Sequence, residues 1–75
     1  MLNNHFMVRQ SEHLAERVSK TSKGLDSQVS AAWELALGRP PRRDELKDFT
    51  AYARKHGLAN TCRVILNSNE FMFVN

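Results

Sequence analysis

The sequence predicts an all-α fold: a compact bundle of four helices, with room for a short fifth turn at the C-terminus. Three observations carry this. Apolar residues recur every three to four positions in four successive segments. No segment alternates apolar and polar residues over more than a few positions, as a strand would. Gly24, Gly38-Arg39-Pro40-Pro41 and Gly57 cut the chain between those segments.

The first helix is expected from about Asn4 to Lys20. Asn3 or Asn4 can cap it, because a short side-chain oxygen accepts a bond from an unpaired backbone N–H. Met7, Leu14 and Val18, with Ala15 beside them, fall on one face. After the polar linker Thr21-Ser22-Lys23-Gly24, Asp26 is expected to cap a second helix from about Ser27 to Leu37. Its stripe of Leu25, Val29, Trp33, Ala36 and Leu37 is widened by Ala31, Ala32 and Leu35. A helix apolar nearly all round packs on several neighbours. Trp33 should anchor the core, since burying such a ring removes roughly 200 Å² from water. Gly38 supplies a left-handed stop.

Pro41 suits the start of a third helix, where its missing N–H would be unpaired anyway. Asp44 and Glu45 in the first turn, and Arg54, Lys55 and His56 in the last, complement the helix dipole. Leu46, Phe49, Thr50 and Ala53 form the inner face, and Gly57 ends the helix. The fourth helix is expected over Leu58 to Leu66, with Leu58, Cys62, Ile65 and Leu66 inward. Asn67 with Glu70 three residues on resembles a capping box, which predicts a separate terminal turn. Phe71 also belongs to the expected core. Phe71, Met72, Phe73 and Val74 crowd the end of the chain, and an apolar terminus either docks on its own core or meets a partner.

At 75 residues the chain makes one domain spanning 1–75. A hydrophobic content of 41% is too high for a disordered tail. No apolar run approaches the roughly 20 residues that cross a bilayer, so no membrane partner is expected. Met1 to Phe6 lacks a basic stretch followed by an apolar one, which predicts cytoplasmic residence. The lone Cys62 has no internal disulfide partner. Placed inward, it behaves as a small apolar residue with a raised, inert thiol. The net charge of +3 permits a nucleic-acid partner without arguing for one.

No constellation of side chains points to chemistry. His5, His13 and His56 are widely spaced, and a metal site needs three or four convergent ligands. No glycine-rich phosphate loop, nucleophile elbow or paired carboxylates occur. The expectation is therefore no enzyme, no cofactor and no metal. Two sets of residues are candidates for binding. Arg39, Arg42 and Arg43 bracket the prolines and could hold a phosphate with the N-terminus of the third helix; the alternative is a solvated corner whose arginines pair with Asp44 or Glu45. Helices three and four also fit a helix-turn-helix unit, with Ala53 and Gly57 at the corner. Asn60, Thr61, Arg63 and Asn67 would then present a polar face able to touch base edges.

Several segments resemble one family. They are Leu2-Asn3-Asn4-x-Phe6, Ala15-Glu16-Arg17, Ala36-Leu37-Gly38-Arg39-Pro40-Pro41 followed by Glu45-Leu46, and Cys62-Arg63-Val64 leading to Leu66-Asn67-Ser68-Asn69-Glu70-Phe71. Together they are similar to the C-terminal end of the large planctomycete proteins called domain of unknown function 1553. The resemblance implies relatives that are usually exported or envelope-associated and often carry a planctomycete-type cytochrome c domain. The Cys-x-x-Cys-His haem motif of that domain is absent here. Arg42 stands where relatives often place a Thr or Ser cap. The chain thus reads as a detached terminal module or a truncated copy, exposing a surface that once packed on missing domains. The expectation for function is a non-enzymatic protein-interaction or structural module, meeting a protein partner or a second copy through Phe71, Met72, Phe73 and Val74. The alternative is DNA binding, through Arg39, Arg42, Arg43, Asn60 and Arg63.

Overall fold

The computed structural model describes the backbone of residues 4–74 and the side chains of residues 5–68. The chain forms four helices: α1 (Asn4–Thr21), α2 (Leu25–Leu37), α3 (Arg43–His56) and α4 (Leu58–Val74). Helices α2 and α4 are central, each packing against all the others. Helices α1 and α3 flank this pair and do not touch each other among the described residues. The Cα radius of gyration, 11.4 Å, matches the ~11 Å of a compact chain of this length.

Helix α1 buries the face that its spacing predicts: Met7, Ala15 and Val18 are buried and Leu14 is half-buried. The same face also buries Ser11, whose Oγ donates to the Val8 carbonyl at 2.8 Å. That bond satisfies the hydroxyl inside the helix itself, so the polar residue can enter the interface. The helix begins at Asn4, so its cap position falls on Asn3, outside the described residues.

Helix α2 starts two residues earlier than its apolar pattern suggests. Gly24, at φ 86°, occupies the cap position, and its carbonyl accepts the first helical bond from Gln28 N–H at 3.0 Å. Asp26 is thereby drawn into the first turn, where its carboxylate accepts the Ser27 N–H at 2.9 Å rather than capping from outside. At the other end Gly38 takes the left-handed conformation (φ 77°, ψ 9°) and its N–H closes on the Glu34 carbonyl at 2.9 Å.

Pro41 lies just outside α3, not in its first turn. Arg42 is the cap residue and Arg43 the first helical one. An arginine side chain has no acceptor to offer a backbone N–H. The cap is therefore one half of a capping box: Glu45 reaches back and accepts the Arg42 N–H at 2.8 Å.

Helix α4 follows α3 after a single residue, Gly57 (φ 95°, ψ 155°). It runs unbroken to Val74, so no separate fifth turn forms. Asn67 sits inside the helix rather than at a cap. The Ser68 hydroxyl donates to the Val64 carbonyl one turn back, at 3.1 Å, which keeps this polar stretch compatible with a helix packed along α1 and α2.

The core is built from Ala15, Val18, Ala32, Trp33, Cys62 and Ile65. Leu14, Ala31, Ala36, Leu37, Phe49, Leu58 and Ala59 pack around it, half-buried. Val29 and Ala53 are also buried, whereas Leu25, Leu46 and Leu66 are half-buried at the rim. The side chain of Phe71 lies outside the described residues. The Trp33 ring meets Phe49 edge to face, centroids 4.9 Å apart and planes at 89°. Such a pair adds about 0.5–1.5 kcal/mol beyond area burial. Two polar atoms of this region, Trp33 Nε1 and Thr50 Oγ1, are buried without a hydrogen-bond partner.

Candidate functional site

The Gly-Arg-Pro-Pro corner is held together from within. The Arg39 guanidinium forms a two-pronged pair with Glu45, Nη1 to Oε1 at 3.2 Å and Nη2 to Oε2 at 3.4 Å. Its Nη1 also donates to the Pro40 carbonyl at 3.1 Å. The same guanidinium lies over the Trp33 ring, 5.4 Å from its centroid, a cation–π contact. The hydrogen bond from Arg39, and after it the one from Arg42 N–H, hold the Glu45 carboxyl below the usual carboxylate range. The N-terminus of α3, where unpaired N–H groups would attract an anion, thus already holds the chain's own carboxylate. Of the candidate phosphate-binding arginines, Arg39 is engaged by Glu45, while Arg42 and Arg43 are exposed.

The outer face imagined for α4 is largely turned to internal use. Thr61 is fully buried, and its hydroxyl donates to the Gly57 carbonyl at 2.9 Å. This corrects its placement on a base-reading surface. Asn60 is exposed, but its side-chain amide donates to the His56 carbonyl at 2.7 Å, closing the end of α3. Arg63 is half-buried and Asn67 exposed. The α3–α4 joint is one residue, shorter than the three- to four-residue turn of a helix-turn-helix unit.

Cys62 is inward, as its position in the stripe predicts, and burial pushes its thiol up to about 11. His5, His13 and His56 are all exposed, and His56 stacks beside Tyr52 with ring centroids 4.5 Å apart. Among the described residues no three His, Cys, Asp or Glu side chains come together as a metal site would require. No helix among them is long and apolar enough to cross a membrane. The side chains of Phe71, Met72, Phe73 and Val74 lie outside the described residues.

A surface not marked out by the sequence pattern lies between α1, α2 and α4. It is a groove of about 280 Å³ lined by Gln10, His13, Leu14, Arg17, Leu35, Ala36 and Leu66. Leu35, expected to widen the buried stripe of α2, is instead 51% exposed at its edge. The physical reason is local. The core side of α2 is filled by Val29, Ala32 and Trp33, and Leu35 is on the part of the circumference that the described residues of α1 and α4 leave uncovered. The signal for the facing wall was present: Gln10, His13, Leu14 and Arg17 stand at i, i+3, i+4 and i+7, a single helical face. On the other side of α2 a second hollow faces α3, lined by Asp26, Ser27, Ser30, Ala31, Glu34 and Leu46.

Fold and surface together define a small helical domain. Over residues 1–53 the chain matches the model of the family described as PSD1, protein of unknown function (DUF1553), and it belongs to that family. The matched span takes in α1, α2 and α3 as far as Ala53. The similarity read in residues 62–71 lies beyond it. No curated protein and no solved structure matches the chain.

Proposed function

We propose that this domain is a non-enzymatic interaction module that docks a protein partner in the groove between α1, α2 and α4. The observation that carries the reading is Leu35, a large aliphatic side chain 51% exposed on a central helix, beside a groove floored by Leu14, Ala36 and Leu66. An exposed apolar patch rimmed by polar groups is a common mark of a protein contact. The reading is also supported by where the reactive groups stand. The thiol is buried and protonated, and the best-placed arginine is neutralised by Glu45.

The test uses the whole chain and its Leu35→Asp variant as baits in quantitative affinity capture from source-cell extract, with and without nuclease. The expected outcome is a set of proteins retained by the parent chain, lost with Leu35→Asp and indifferent to nuclease. Identical captures on both baits, or captures that nuclease erases, overturn the reading.

A further inference from the structure

Resting on the docking reading above, we infer that the occupant of the groove is an acidic amphipathic helix of a partner protein. The first reason is size. At about 280 Å³ the groove sits at the small end of the ~300–1,000 Å³ of clefts that enclose a ligand. It suits one or two inserted side chains. The second is shape. Leu14 and Arg17 of α1, Leu35 and Ala36 of α2 and Leu66 of α4 all line it, so it is bounded by three helices. An apolar trough of this kind takes the apolar stripe of another helix, read as residues at i, i+3 or i+4, and i+7.

Charge then selects among helices. Among the described residues, the ionisable side chains lining the groove are Arg17 and His13, with no carboxylate among them. The whole chain carries +3. A helix with leucine-like residues on one stripe and carboxylates flanking it would meet complementary charge at the rim. A second copy of the chain fits less well. A symmetric pairing would bring two copies of the same basic rim together. The acidic hollow on the far side of α2 could meet the basic rim, but its Ala31 and Leu46 are half-buried and offer no protruding apolar side chain to insert.

The probe is a display library of randomised helical 14-residue peptides, selected on the full chain and counter-selected on its Leu35→Asp variant. The expected winners are net acidic, with aliphatic residues at helical spacing. In methyl NMR titrations they should perturb Leu14, Leu35 and Leu66. Arg17→Glu should weaken these winners about ten-fold, and exchange of their carboxylates for lysines should do the same on the parent chain. Neutral or basic winners that still need Leu35 overturn the acidic chemistry and leave the docking reading standing. Enrichment that ignores Leu35, or no enrichment, overturns this inference, and the extract captures above then decide the docking reading separately. A concentration-dependent dimer that protects the Leu35 methyl from titration overturns it in favour of a second copy.

Discussion

The two flanks of α2 contrast sharply. Towards α3, the large side chains at the corner engage one another: Trp33 meets Phe49 edge to face, Arg39 covers the indole, and Glu45 secures Arg39. Towards α1 and α4 the same helix leaves Leu35 half in water beside a basic rim. The difference separates two uses of similar residues. An arginine on one flank is bound into the fold, and an arginine and a leucine on the other stand exposed beside a groove.

The contrast breaks most easily at its centre. Trp33→Ala should cost about 3–5 kcal/mol, against a total of roughly 4–11 kcal/mol for a domain this size. Chemical denaturation should show most of the stability gone; a variant melting near the parent temperature would contradict the anchoring role. Gly38→Ala should cost about 1–2 kcal/mol. Nothing lies within 4 Å of the added Cβ, so the penalty at φ 77° is conformational alone. Equal stability of the two chains would mean that the corner tolerates another backbone path. Thr50→Val should act in the opposite direction by about 1 kcal/mol, because it removes a buried hydroxyl that has no partner. A loss of stability in denaturant titration would mean the hydroxyl is satisfied.

Acid titration examines the Arg39–Glu45 pair. The Glu45 carboxyl is depressed from its ordinary value of 4.5, so across the acid range the folded chain binds fewer protons at this site than the unfolded chain. Its contribution is complete above that ordinary value and is lost as pH falls through the depressed one. Glu45→Gln should therefore flatten the acid limb of the stability profile while changing little at about pH 7 beyond a constant offset. An unchanged acid limb would remove this pair from the account. Leu35→Asp should cost about 1 kcal/mol, through poorer helix propensity and a negative charge in the last turn of α2. A large loss there would show that Leu35 belongs to the core after all.

Much of the fold is legible in the sequence, because the buried positions repeat at helical spacing. Met7, Ala15 and Val18 on α1, Val29 and Trp33 on α2, Ala53 on α3, and Cys62 and Ile65 on α4 are all where their periodicity puts them. The helix ends are less legible. Asp26, Pro41 and Asn67 each carry a cap or start signal, yet Asp26 sits inside the first turn of α2, Pro41 two residues before α3 begins, and Asn67 well inside α4. Such signals are worth about 1 kcal/mol, and tertiary packing exceeds that. The burial of Ser11 and Thr61 is illegible for another reason. A hydroxyl that bonds its own helix one turn back is buried without cost to any neighbour, and periodicity reads only apolar residues. The corner was half legible, as arginines facing Asp44 or Glu45; which arginine and which carboxylate depends on the turn made by Gly38. The groove was the least legible part. Its walls come from three helices, and whether a leucine is covered depends on the neighbour's distance, not on its own position in a stripe.

The single-residue joint at Gly57 gives the second half of the molecule no slack. Two torsion angles decide where the whole of α4 points, and its azimuth decides that Thr61, Cys62 and Ile65 look inward. One extra amino acid spliced between His56 and Leu58 would leave each helix able to form and yet destroy their agreement about which side is inside.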